Sequence, residues 1–390
     1  MTPQQIRFLQ SDTAVQTLGE LALTQQNHLQ LATKLRKTYT PDQVNALLET
    51  IRLRQKAAKK FSHAADMLFT ATALEQSSSE AVARYRSHRF AKINPQQIVD
   101  LCCSIGSDAL PLTQFAHVTG IDLDYARLKI AQHNHTVYGR ASHFHPLQAD
   151  LLDLPPFPTD ALFFDPARRD ERGKRIFSVE SYRPPLSLIE KWRKLAPAAA
   201  VKISPGVDYR EIPPTAEAEF ISVNGEVKEC VLWYGDLRTS PQQRATLLPS
   251  GDTLTSEQNR SSPRPITSPG AYLYEPDGAV IRAHLIQPLG VQLNANQIDP
   301  DIAYLTSDQL ITTPFATPFA VQDRFPFQLK RLRAYLRERK IGRLELKKRG
   351  SPLDLDQLHQ QLKPKGPNKA TVFLTRINAT PSVIIAQRLP

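Results

Sequence analysis

The stretch IVDLCCSIGSDALPLTQFAHVTGIDLD, Ile98–Asp124, decides how the rest of the chain is read. An apolar run ends in small polar residues and Gly106, a short amphipathic segment follows, and a second apolar run closes on Asp122. An apolar extended run needs a covered sheet. A small-residue turn lets a ligand approach the backbone, and the helix start after it offers free N–H groups. This is the outline of a β-turn-α-β nucleotide site.

Working outward, residues 96–235 alternate strand and helix patterns. Strand candidates are IVDLCCS, VTGID from Val118, HFHPLQAD from His143, ALFFD from Ala161 and AAVKIS from Ala199. DALPLTQF, YARLKIAQHNHTVYG and PLSLIEKWRKLA are the helix candidates between them. The alternation predicts a mostly parallel α/β sheet covered on both faces, with ligands at the carboxyl ends of its strands. EAEFISVNGEVKECVLWYG, from Glu217, reads as a hairpin about Asn224-Gly225, where a dinucleotide fold would start a second βαβαβ half.

Acids fall at the strand ends. Asp100 lies at the exit of the first strand, with Ser104, Ser107 and Asp108 around Gly106. Asp122 ends the second strand, where a carboxylate accepts ribose hydroxyls. Asp124 reads as the cap of the following helix. Asp150 ends the third strand and Asp165, in FFDPARR, the fourth.

With these residues in place, the segment 96–235 resembles the class I S-adenosylmethionine-dependent methyltransferases, and DLCCSIGSD resembles the D-x-x-x-G-x-G-G turn of RNA guanine methyltransferases, with serines at two glycine positions. The resemblance implies a Rossmann-like, seven-stranded core over residues 96–235 with S-adenosyl-L-methionine as cofactor. It implies that Asp100, Ser104 and Gly106 hold the methionine moiety, Asp122 the ribose and Asp150 the adenine edge. Relatives that methylate exocyclic amines carry Asn or Asp, Pro-Pro and an aromatic residue, where this chain has Asp165-Pro166-Ala167-Arg168. Asp165 and Pro166 are thereby the catalytic candidates, with Phe177 or Tyr182 as substitutes for the stacking ring. Arg168 and Lys202 are candidates for substrate phosphate. Arg168 and Arg169 equally suit pairing with Asp170 and Glu171, and Lys202 equally suits neutralising an acid or packing its stem on the sheet.

DPAR also resembles the DPPR of uracil-C5 methyltransferases, which need a cysteine nucleophile. Beyond Cys102 and Cys103 the chain has only Cys230, inside the predicted last strand, where a buried thiol is the plainer reading.

Residues 1–95 read as a helical layer, with SSSE as a cap before its last helix. Its basic residues, among them Arg52, Arg54, Arg84, Arg86 and Arg89, suit either phosphate contact or a solvated face. Residues 236–270 are polar and Pro/Ser-rich and read as a linker with a short hairpin near Ser250-Gly251-Asp252. Residues 271–390 read as an α+β module whose order resembles the THUMP-like domain attached to some bacterial methyltransferases. Its segment from Arg324 to Gly350 is dense in base, and Lys330, Arg331, Arg333 and Arg337 are the candidates for contact with RNA phosphate.

The net charge of +11 favours polyanionic partners. Three cysteines and scattered histidines (His63, His88, His133, His135, His143, His145) show no metal spacing, so no metal is expected. The N-terminus lacks a signal-peptide pattern and no run is long enough to span a bilayer, so a cytoplasmic protein is expected. The function these readings favour is methylation of a base nitrogen, guanine N2 or adenine N6, in structured ribosomal or transfer RNA. A methyltransferase of small molecules or proteins, and an idle cofactor- and RNA-binding protein, remain as alternatives.

Overall fold

Asn134 joins three separate stretches of chain. Its Oδ1 accepts the Leu68 N–H at 2.9 Å, and its Nδ2 donates to the carbonyls of Leu68 at 3.2 Å and Ile105 at 3.1 Å. The residue is fully buried, so these bonds replace all of its water. The N-terminal helices are thereby tied to the turn after the first strand. The structure, a computed structural model, describes residues 1–21, 28–169, 173–174, 176, 178–257 and 264–389. It divides into two units, Met1–Ala216 with Val231–Thr239, and Glu217–Cys230 with Ser240–Pro390.

In the first unit, strands β1 (Gln97–Leu101), β2 (His117–Asp122), β3 (Phe144–Gln148), β4 (Ala161–Phe164) and β5 (Ala198–Ile203) are parallel in the order β3-β2-β1-β4-β5. The chain then forms β6 (Glu217–Val223) and β7 (Glu226–Gly235), and β7 lies beside β5. Asn224 and Gly225 both have positive φ, 51° and 82°, as the predicted two-residue hairpin turn requires. The strand order reverses direction between β1 and β4, which opens the crevice where ligands of such sheets bind. Asp100 stands at the end of β1 and Asp165 just past β4, one on each side of it.

The helical layer holds Pro3–Leu9, Asp12–Leu21, His28–Leu35, Pro41–Ala57, Ala71–Gln76 and Glu80–Ala91. Its apolar side chains share one core with Ile105, Leu110 and Ile130 of the sheet region. Residue 95 therefore marks a change of secondary structure and not a break in packing. The helix Tyr125–Val137 is capped by Asp124, whose Oδ1 accepts from Ala126 at 2.8 Å and Arg127 at 3.2 Å.

In the second unit, β8 (Gln243–Leu248) runs parallel to β6, and β9 (Asp252–Thr255) pairs antiparallel with β8. This corrects the reading of 236–270 as a linker, while the short hairpin read near Ser250-Gly251-Asp252 is the connection between β8 and β9. The polar start of β8 masks a ladder that its buried Ala245 and Thr246 complete. A further sheet contains β10 (Tyr272–Pro276), β11 (Asn296–Asp299), β12 (Ile302–Ser307), β13 (Ala316–Pro326), β14 (Ile341–Lys348), β15 (Asn368–Ile377) and β16 (Thr380–Arg388). Its order is β11-β12-β10-β13-β16-β15-β14. Helices Leu329–Glu338 and Leu355–Leu362 pack Leu332, Leu336, Leu358 and Leu362 into the core formed with β15 and β16.

Candidate active site

The turn after β1 is built on two non-glycine residues in left-handed conformation, Cys102 at φ 66° and Ser104 at φ 50°, followed by Gly106 at φ 77°. The Cys103 N–H donates to Ile121 O at 2.9 Å, and the Ser104 N–H to Asp122 Oδ2 at 2.9 Å. The Gly106 N–H donates to Cys103 O at 2.9 Å. The N–H groups of Ser104 and Gly106 are thus engaged inside the turn. A Cβ on Gly106 would stand 2.7 Å from His135 Cε1, so the packing of a helix side chain by itself requires glycine here.

Asp122 accepts one backbone N–H on each oxygen, from Ser104 on Oδ2 and from Asp124 on Oδ1, both at 2.9 Å. Each oxygen keeps a second acceptor direction. Burial pushes its carboxyl above the ordinary range. Asp150 accepts the Leu152 N–H at 2.9 Å. Leu123 and Leu152 follow these acids and are 65% and 60% exposed. Large apolar side chains left bare beside acids at strand ends suit a flat aromatic ring.

Asp100 is 1% exposed, and among the described residues neither of its carboxylate oxygens has a hydrogen-bond partner. Burial, then the charges of Asp108 and Asp165, hold its carboxyl well above the usual range. An orphaned buried acid is costly unless a cation reaches it. The sulfonium and ammonium of S-adenosylmethionine are such cations, and the residues present fit that cofactor.

Asp165 receives Lys202 Nζ on Oδ2 at 2.6 Å, and Arg168 lies 3.9 Å from Oδ1. Lys202 is 3% exposed, so its charge belongs to Asp165 and not to a solvent-borne phosphate. Arg168 is half-buried at the same acid. Pro166 is buried, and Ala167 exchanges two backbone bonds with Arg183 at 3.0 and 3.1 Å, which fixes the loop after β4. Tyr182 is buried at 2% exposure and its hydroxyl accepts the Ser204 N–H at 3.3 Å, so its ring is core and not a stacking platform. Phe177 lies outside the described residues, as do Asp170 and Glu171. Arg169 pairs with Glu75 at 2.8 Å.

Burial holds the thiols of Cys102, Cys103 and Cys230 well above their ordinary value, which makes each a poor nucleophile. Among the described residues no group of three or more His, Cys, Asp or Glu side chains is arranged to hold a metal ion, and no helix is long and apolar enough to cross a membrane.

The residue that sequence reasoning misplaced is Arg86. It is 2% exposed and forms an ion pair with Asp108 of the turn, instead of facing solvent or phosphate. The signal was present: Val82, Arg86 and Phe90 stand at i, i+4 and i+8, all buried, so the arginine occupies an apolar stripe.

In the second unit, Lys330, Arg331, Arg333 and Arg337 are all exposed on the helix Leu329–Glu338. Arg333 donates to Gln361 O at 2.7 Å, and Arg331 lies over the Phe325 ring at 4.5 Å. Lys330, Arg333 and Arg337 line a groove of about 580 Å³ together with Lys363 and Lys365.

A parallel sheet with this order, a capped second-strand acid and an orphaned first-strand acid defines a class I nucleoside-cofactor fold. Comparison with known proteins agrees. A family model described as RNA cap guanine-N2 methyltransferase matches residues 95–191, a THUMP domain-like model matches 316–388, and a domain of unknown function matches 2–57. An uncharacterized S-adenosylmethionine-dependent methyltransferase of Mycobacterium tuberculosis, in strains CDC 1551 and H37Rv, is 34% identical over 357 residues, covering 87% of this chain and 94% of its own. A crystal structure of a candidate methyltransferase from Porphyromonas gingivalis W83 superposes with a TM-score of 0.80 over 100% of both chains at 20% identity, and so shares the fold.

The chain belongs to the S-adenosylmethionine-dependent methyltransferases and carries a C-terminal THUMP-like domain. It is an enzyme that uses S-adenosyl-L-methionine.

Proposed function

We propose that the protein methylates a base nitrogen, guanine N2 or adenine N6, in structured RNA, within the cytoplasm. The observation that carries the reading is the setting of Asp165. It leaves β4 beside the cofactor turn, its N–H donating to Leu101 O at 3.3 Å, with one oxygen engaged by Lys202 and a side chain still 20% exposed. An acid so held orients the N–H of an exocyclic amine. Transfer to an amine needs alignment of nitrogen, methyl and sulfur in a site that excludes water, and the nitrogen's proton leaves afterwards. S-adenosylmethionine supplies the electrophilic methyl group. Asp165 orients the acceptor, Pro166 and the Ala167–Arg183 bridge fix its loop, and Asp100 and Asp122 hold the cofactor.

Three further points support this reading. The thiols of Cys103 and Cys230 are buried, and all three thiols are raised, which disfavours carbon methylation through a cysteine adduct. The model matching residues 95–191 is named for guanine N2 chemistry on RNA. The exposed bases Lys330, Arg331, Arg333 and Arg337, with Lys363 and Lys365 in the same groove, suit a phosphodiester backbone.

The test is transfer of labelled methyl groups to total RNA from a strain lacking the protein, followed by nucleoside analysis. Labelled N2-methylguanosine or N6-methyladenosine is the expected product. No incorporation into RNA, with cofactor binding intact, refutes the RNA reading and points to a small-molecule or protein acceptor.

A further inference from the structure

The helix Glu80–Ala91 precedes β1 and lies outside the segments 2–57 and 95–191 that the family models match. It nevertheless reaches the cofactor turn. Arg86 pairs with Asp108, donates to Ser78 Oγ at 3.0 Å, and sits 4.9 Å over the ring of Phe163, two residues before Asp165. The second oxygen of Asp108 accepts the Ser107 hydroxyl at 3.3 Å. Removing a guanidinium from water is expensive, and an apolar side chain between Val82 and Phe90 would fill the same stripe without that cost. Packing alone therefore does not account for an arginine at this place.

The acids around the turn are matched unequally. Asp108 has Arg86, Asp165 has Lys202, and Asp122 has two backbone N–H groups. Asp100, among them, has no hydrogen-bond partner among the described residues.

We infer that Arg86 is a positioning residue of the cofactor site: it fixes and neutralises Asp108, so that Asp100 is the one carboxylate of the turn left for a cationic cofactor. The groups that bear on Asp100 are Asp108, Asp165 and Asp122 with negative charge and Arg86 with positive charge. Burial raises the Asp108 carboxyl, yet the charges of Arg86 and Lys202 hold it below its ordinary value, so Asp108 is ionised. Without Arg86 that charge stands uncompensated beside Asp100. Asp100 then ionises only at higher pH, and a site that needs it ionised loses its cation.

The experiment is calorimetric titration of the full chain with S-adenosylmethionine and with S-adenosylhomocysteine, which lacks the sulfonium charge, between about pH 6 and 9. Arg86→Met, Asp108→Asn and the double variant are compared, with thermal melting to confirm folding. Arg86→Met is expected to weaken S-adenosylmethionine binding about tenfold or more at neutral pH and to move the rise of affinity to higher pH. The double variant, with the stranded charge removed, returns to within about threefold of the natural protein. Equal weakness in Arg86→Met and the double variant, with both folded, overturns the inference, as does natural affinity in Arg86→Met.

Asp108→Asn keeps the test decisive if Arg86→Met does not fold. Arg86, released from its ion pair but still bonded to Ser78, then bears on Asp100, and affinity for S-adenosylmethionine falls about fivefold or more. An unchanged affinity overturns the inference.

Discussion

Lys202 and Asp165 form a pair of unequal exposure: the lysine is 3% exposed, the aspartate 20%, and Nζ stands 2.6 Å from Oδ2. The lysine is committed to Oδ2 of the acid, and Oδ1, with Arg168 at 3.9 Å and beyond hydrogen-bond distance, keeps an edge for a further donor. Lys202→Met leaves that edge in place and removes its anchor. Because Asp165 retains water, the loss of stability is about 1–3 kcal/mol, below that of a fully buried pair. Methyl transfer is expected to fall about tenfold or more, cofactor affinity to stay within about threefold, and Lys202→Arg to recover part of the rate. An equal loss of cofactor affinity by calorimetry would show that Lys202 serves the cofactor instead.

Asp122 and Asp165 separate cofactor from acceptor. Asp122→Ala strands the N–H groups of Ser104 and Asp124 and weakens S-adenosylmethionine binding about tenfold or more. Asp165→Ala lowers transfer and leaves cofactor affinity nearly unchanged. Equilibrium binding and single-turnover transfer, measured on both variants, check the assignment.

Gly106→Ala forces an L-residue to φ 77° and drives a methyl group toward His135 Cε1 at 2.7 Å and Ala131 Cβ at 3.2 Å. The expected cost is about 1–3 kcal/mol, read as a lower urea midpoint with an unchanged slope. His135→Gly in the same chain relieves the clash but not the backbone strain, so it recovers only part of the loss beyond its own cost.

His135 is buried, stacked on Phe144 at 3.9 Å, and held by burial at a pKa of about 4. The folded value lies below the unfolded one of about 6.5, so on acidification the unfolded chain takes up a proton that the folded chain refuses. Stability from this residue is complete above about pH 6.5 and is lost as pH falls toward about 4. The difference in unfolding free energy between the natural protein and His135→Gln should shrink over that window, by at most about 3 kcal/mol. A constant difference across the window contradicts a neutral, buried imidazole.

The parallel core was legible because β1, β2 and β4 are apolar runs with acids at their ends, which follows from burial on two faces and polarity at one end, while the exposed edge strand β3 and the acid-free end of β5 were placed by their alternation with helices. The Asn224-Gly225 turn was legible because few other sequences accept two positive φ values. β13 was not, since Pro318 and Pro326 and a polar middle break the alternation that marks a strand, although β10 and β16 flank it on both sides. Of the site, the acids could be placed from strand ends alone. Their partners were legible only in part: Lys202, 37 residues from Asp165, was a candidate for neutralising an acid without saying which, and Arg86, 22 residues from Asp108, was read among phosphate-contacting or solvated bases. The helical stripe Val82, Arg86 and Phe90 marks the arginine as buried, but no pattern in the sequence says which acid it meets. Tyr182 is the converse case, an aromatic in the right loop whose ring the core had already taken.

β7 passes from one unit into the other in midstrand, with Glu226–Cys230 in the second and Val231–Gly235 in the first. β8 lies along β6, whose side chains from Glu217 to Ser222 are all buried. A chain ended near residue 240 would bare that strand as an open edge, the kind of surface that pairs with other chains. β8 covers that edge and lies ahead of the segment 316–388 matched by the THUMP domain-like model, so a chain cut after β9 keeps β6 paired while one cut before β8 does not.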